Sequence, residues 1–148
     1  MNGVYVLIIE SHADMELEIG KLGRIPFKKG FYAYVGSALR GLEQRIGRHR
    51  RHVGDNKKLH WHIDYLLASP AVELIEVICA ETEERKECEI AVTLNQWFES
   101  IQKFGCSDCS CTSHLFCASS VAELNERVYD CLQSAAAVNF RATRINPV

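Results

Sequence analysis

The stretch that decides the fold is Phe31-Tyr32-Ala33-Tyr34-Val35-Gly36-Ser37-Ala38-Leu39-Arg40-Gly41-Leu42-Glu43-Gln44-Arg45-Ile46-Gly47-Arg48-His49. Its first five residues are aromatic, small or β-branched and read as a strand, which Gly36-Ser37-Ala38 ends. Leu42 with Ile46, and Arg45 with His49, then recur at i and i+4, so Leu39–His52 reads as a helix with an apolar and a basic face. Upstream, Val4–Ile9 is an unbroken apolar run rich in β-branched residues and reads as a buried strand. The two strands are close enough in sequence to pair antiparallel. The loop between them, Glu10–Gly23, carries no clear element. Lys21, Arg24, Lys28 and Lys29 make the approach to the second strand basic.

Gly54-Asp55-Asn56 ends the first helix. Leu59–Leu67 reads as a short second helix stopped by Ser69-Pro70. Val72–Cys79 reads as a third strand. In Glu83–Gln102, Ile90, Leu94, Trp97 and Ile101 recur at three and four residues and predict a long helix ended by Gly105. His114–Cys117 is expected as a fourth, edge strand. Ser120, with Glu123 three residues on, opens a last helix striped by Val121, Leu124, Val128 and Leu132. Residues 142–148 read as a tail. The expectation is one α+β domain over residues 1–148: a small, mostly antiparallel sheet flanked by helices, with a cysteine-rich loop and helix extension over about 105–148.

Apolar residues make up 47% and charged residues 24% of the 148, which excludes disordered and collagen-like classes. No apolar run reaches the ~18 residues of a membrane span. The start, Met1-Asn2-Gly3, has no cationic region or apolar signal core, so a cytoplasmic location is expected. Seven cysteines in such a compartment should be reduced. The net charge of −2 conceals an asymmetry. Arg40–Lys58 holds seven basic and two acidic side chains, a local +5 that leaves −7 elsewhere. Such a stripe suggests a polyanion footprint, against the plainer reading of a solvated arginine-rich helix face.

Gly3-Val4-Tyr5 opens the first strand and Tyr34-Val35-Gly36 closes the second. Arg45 follows nine residues after Gly36, and His49 four later. This combination resembles the GIY-YIG nuclease superfamily over roughly the first two-thirds of the chain. Residues 60–67 (HWHIDYLL) and 105–116 (GCSDCSCTSHLF) look like a stand-alone prokaryotic and archaeal branch of it, filed as a domain of unknown function, DUF123.

The resemblance implies a divalent-metal-dependent endonuclease that hydrolyses a phosphodiester bond in nucleic acid, DNA in preference to RNA. It implies Tyr5 as general base, helped by His49 or by Lys28 or Lys29, with Tyr34 orienting the water. Arg45 would grip the phosphate. One Mg²⁺ or Mn²⁺ would sit on a glutamate after the third strand. That role falls on Glu89, which precedes an apolar helix run, with Glu87 and Glu84 as rivals. The family's further asparagine has no match at its usual distance, Asn95 being too close.

The chemistry is consistent with those types. Phosphodiester hydrolysis needs an activated water, neutralised phosphate charge and help for the leaving oxygen. A lone carboxylate suits Mg²⁺, which keeps much of its water. Cationic neighbours would lower the pKa of Tyr5 while burial would raise it, and a partial net depression is expected. Against this, Tyr5 and Tyr34 could be strand aromatics packed across a hairpin.

Arg40, Arg48, Arg50, Arg51, Lys28 and Lys57 are the expected nucleic-acid contacts. His60 or Asp64 is expected to support the site wall rather than bind metal. Cys106, Cys109, Cys111 and His114 offer four soft ligands for a structural zinc, against a packed loop of reduced thiols. Two other classes compete with the nuclease: a non-catalytic nucleic-acid-binding module that keeps the fold, and a scaffold making protein contacts through the cysteine loop.

Overall fold

A computed structural model describes residues 3–38, 40–51, 58–106, 111–135 and 138–144. The apolar run at the start becomes β1 (Gly3–Ser11), at the centre of a six-stranded sheet. β2 (Met15–Glu18) and β3 (Arg24–Phe27) form a separate hairpin around a short 3-10 turn at Gly20–Leu22. β4 (Gly30–Ala38) leads to α1 (Leu42–Arg50), α2 (His62–Leu67) and β5 (Val72–Glu81). Then come α3 (Glu87–Leu94), β6 (Glu99–Ser100), β7 (Leu115–Ala118), α4 (Val121–Ala135) and β8 (Val138–Arg144). The sheet order is β6-β7-β4-β1-β5-β8, and each neighbouring pair is antiparallel. The fold is therefore α+β with an antiparallel sheet flanked by helices, as expected. Among the described residues no helix is long and apolar enough to cross a membrane.

β1 is apolar throughout because both of its faces are buried. Val4, Val6 and Ile8 pack with Ile90, Leu94, Leu124, Val128 and Leu132 of α3 and α4. Tyr5, Leu7 and Ile9 pack on the other face with Leu42, Ile63, Leu66, Phe27 and Phe104. Two cores thus share one strand, and each fully buried aliphatic side chain contributes about 1.5–3 kcal/mol.

The two motif glycines are set by close approach. Tyr5 pairs with Gly36 across the β1–β4 ladder, and a Cβ on Gly36 would lie 2.5 Å from the Tyr5 ring and hydroxyl. A Cβ on Gly3 would lie 2.6 Å from Leu42 Cδ2 and 2.7 Å from the Ala80 carbonyl.

Four expectations need correction. The loop after β1 contains the β2–β3 hairpin, where Arg24 reaches Glu16 and Glu18 across the strands. The long helix expected over Glu83–Gln102 is only Glu87–Leu94. Its start is delayed by a turn in which Glu84 N–H bonds to Thr82 Oγ1. Its end tightens into i→i−3 bonds from Gln96 to Thr93 and from Trp97 to Leu94. Trp97 leaves the core stripe and lies half exposed under the Arg127 guanidinium, 3.5 Å from the ring centre. The second helix starts at His62 rather than Leu59, because Asp64 Oδ2 accepts the His60 and Trp61 N–H groups and holds them outside the helix. Finally, the tail expected from residue 142 is partly strand. Residues 138–143 alternate apolar and polar, and the strand covers the open edge of β5.

Candidate active site

A cavity of about 1040 Å³ opens where the end of β4 meets α1, the approach to α2 and the start of α3. Tyr5, Tyr34, Arg45, Trp61, Glu87 and His114 are in its wall, with Lys21, Arg40, Arg85 and His60 adding positive charge or polarity.

Tyr5 enters from β1, and its hydroxyl lies 2.8 Å from Nε2 of His49, 44 residues away. Helical spacing puts Arg45 and His49 on one side of α1. His49 is buried against the rings of Tyr5, Tyr34 and Trp61. Arg45 donates to the Ser37 carbonyl at 3.3 Å, and its guanidinium lies 4.6 Å from the Trp61 ring centre.

Burial is the largest influence on Tyr5 and pushes its pKa up to about 12, although the Arg45 charge and a hydrogen bond from Arg45 oppose it. The expected partial depression is overturned: with the ring 2% exposed, desolvation of a phenolate outweighs nearby cations. Burial also raises Tyr34.

Trp61 meets two arginines through its ring. Arg48 stacks 4.3 Å from the ring centre and grips Asp64 with both amino groups, at 2.8 and 2.9 Å. It also donates to the Lys58 carbonyl. Burial would raise the Asp64 pKa, but hydrogen bonds from Arg48 and from the Trp61 and His60 backbone prevail and hold it below the usual carboxylate range. Asp64 thus supports the wall, as expected. Arg48, one of the expected nucleic-acid contacts, clamps α1 to α2.

The other expected residues divide sharply. Glu89 is mostly exposed, pairs with Lys86 at 3.2 Å, and borders a smaller pocket with Trp97 and Arg127. Its rival Glu87, two residues earlier, lines the main cavity. One Glu87 carboxylate oxygen is buried without a hydrogen-bond partner among the described residues. Lys28 and Lys29 precede β4 and lie about 23–26 Å along that strand from Gly36, too far to assist Tyr5. Lys28 pairs instead with Glu99. Arg40, Arg50 and Arg51 are exposed, and Arg40 and Arg51 border a shallow pocket along α1. Lys57 and Cys109 lie outside the described residues. No asparagine is among the described residues that line the cavity.

The zinc expectation is redrawn. Cys106 turns its thiol to the Phe104 carbonyl at 3.5 Å. Cys111 and His114 gather instead with Cys88 of α3. Sequence reading missed Trp61, Arg85 and Lys21 as lining residues, and held Glu87 only as a rival of Glu89 in the same acidic run.

This architecture defines a small α+β domain with a cationic, tyrosine-lined cavity at one end of an antiparallel sheet. The chain matches the family described as "Domain of unknown function DUF123" over residues 4–137 and belongs to that family. No curated protein and no solved structure matches it.

Proposed function

We propose that the protein is a divalent-metal-dependent endonuclease that hydrolyses a phosphodiester bond in nucleic acid, DNA in preference to RNA. The observation that carries this reading is the Tyr5–His49 contact of 2.8 Å beside Arg45, in a cavity that Glu87 also lines. The volume, about 1040 Å³, lies just above the roughly 300–1,000 Å³ range of small-molecule sites and suits a segment of polymer.

Each group then has a role. Arg45 holds the phosphate through its planar donor fork. Tyr34 orients the attacking water. Tyr5 accepts the water's proton while passing its own to Nε2 of His49. This relay avoids a standing phenolate, which a pKa of about 12 would make rare at neutral pH. The metal role moves from Glu89 to Glu87. A buried carboxylate oxygen without a hydrogen-bond partner among the described residues suits a hard cation. When bound, Mg²⁺ or Mn²⁺ would neutralise charge on the phosphate and polarise it.

A second reading is a nucleic-acid-binding module that has lost cutting. The raised Tyr5 pKa and the lack of an asparagine among the described lining residues favour it. The deciding experiment incubates pure protein with labelled DNA and RNA of several structures, with Mg²⁺, Mn²⁺ or EDTA. The nuclease reading expects metal-dependent cleavage that Tyr5→Phe removes. Retention of the strands without cleavage in either metal would support the binding module. Neither cleavage nor binding would overturn both.

A further inference from the structure

We infer that Cys88, Cys111 and His114 form a zinc site that fastens the first turn of α3 to the loop leading into β7. The three donor atoms all lie within 4.8 Å of one another, and Cys88 Sγ is 3.8 Å from His114 Nε2. With Zn–S and Zn–N bonds of about 2.3 and 2.05 Å, a tetrahedral ion separates sulfur from nitrogen by about 3.6 Å and two sulfurs by about 3.8 Å. The cluster is therefore already close to the size the ion needs.

The donor chemistry selects the ion. Two thiols and an imidazole are soft or borderline ligands that favour zinc over the Mg²⁺ proposed at Glu87. Cys88 is the second residue of α3, where the helix N-terminus stabilises a thiolate. His114 is buried, and its ring also bonds to the Val35 backbone. A ligating histidine commonly donates its other N–H in this way, fixing the ring for the metal.

The backbone around His114 is fixed as well. Its N–H bonds to the Phe104 carbonyl at 2.8 Å, and its carbonyl accepts from Val35 at 2.9 Å. Lys103 N–H bonds to the Thr112 carbonyl at 2.8 Å, closing the loop that carries Cys111. The fourth coordination position lies outside this set of three. Because the ligands come from 26 residues apart in sequence, the ion would join α3, which carries Glu87, to the wall beside Gly105 and Tyr34. The inference does not rest on the nuclease reading.

The test measures zinc by elemental analysis in the whole protein, after supply of Zn²⁺ and removal of excess. The parent should hold equimolar zinc. Cys88→Ser should lower its zinc affinity by at least about tenfold, while Cys106→Ser should keep the parental value. Should Cys88→Ser fail to fold, the parent alone still decides. Co²⁺ should give an intense tetrahedral spectrum with thiolate charge transfer, and Zn²⁺ should protect Cys88 and Cys111, but not Cys106, from alkylation. A parent that takes up no zinc would overturn the site and leave a thiol–imidazole hydrogen bond only. Equal zinc retention in Cys88→Ser, or loss in Cys106→Ser alone, would overturn it too.

Discussion

The hydroxyl of Tyr5 lies 2.8 Å from Nε2 of His49, so the central strand and the basic helix meet in one hydrogen-bonded pair at the cavity. A buried phenol with a pKa near 12 is a poor base alone and a reasonable one when a neighbour takes its proton in the same step. Tyr5→Phe keeps the ring and removes the relay, and should lower cleavage by about 10²–10⁴-fold. The pH profile separates the two routes. If ionised Tyr5 were the base, the rate would climb with pH towards 12, because the raised pKa places the phenolate there. The relay expects the rate to level off well below that. Cleavage rates from pH 6 to 10 for both proteins measure the difference.

Gly36 is fixed by the same tyrosine. A Cβ at Gly36 would meet the Tyr5 ring at 2.5 Å, and the obstacle is a buried ring that cannot swing aside. Gly36→Ala should therefore destabilise the fold by about 1–3 kcal/mol, read by urea unfolding. Adding Tyr5→Leu should recover much of that stability without restoring cleavage. A double variant no more stable than Gly36→Ala alone would mean the clash lies elsewhere.

Glu87 and Glu89 should behave oppositely. Glu87→Gln is nearly isosteric and should lower metal-dependent cleavage by about 10²-fold or more, since it removes a charge from the reaction centre. Glu89→Gln loses only an exposed pair with Lys86 and should cut at close to the parental rate. Cleavage assays over a Mg²⁺ titration check both, and the reverse outcome would return the metal to Glu89.

The Arg48–Asp64 pair should matter for stability. Asp64 has no exposed side-chain surface and Arg48 little, so Asp64→Asn should cost about 3–5 kcal/mol by leaving a mostly buried guanidinium without its carboxylate. The pH sign follows from the lowered Asp64 pKa. The stabilisation is fully present above the ordinary aspartate value of about 3.9, and it is lost as pH falls through the lower folded value. Denaturant unfolding of parent and variant between pH 2.5 and 6 should show the difference constant above about pH 4 and narrowing toward the acid end.

Nucleic-acid binding should depend on the exposed arginines and weaken steeply with salt. Reversing Arg40 and Arg50 to Glu should reduce affinity for all sequences alike and shallow the salt slope by roughly 1–2 units per pair removed, with the melting temperature unchanged. Unchanged affinity at low salt would remove this face from the footprint.

By itself the sequence determined that Val4–Ile9 and Phe31–Gly36 are strands able to pair antiparallel, and it placed Arg45 and His49 on one helical face. Those follow from local composition and periodicity: a strand-length apolar run rich in β-branched residues, and a 3.6-residue turn in a helix. Tertiary structure alone decided the rest. Glu87 and Glu89 are two positions apart on α3, about 200° around its axis, and only packing against the sheet chooses which one meets the cavity. Arg48 is tied to α2 because Asp64, 16 residues on, lies within hydrogen-bonding reach. Cys88 joined Cys111 and His114, and Cys106 did not, because the fold folds α3 back against the β7 loop. The pKa of Tyr5 depended on how completely two layers exclude water from its ring, a property of the assembled core that no spacing of residues encodes.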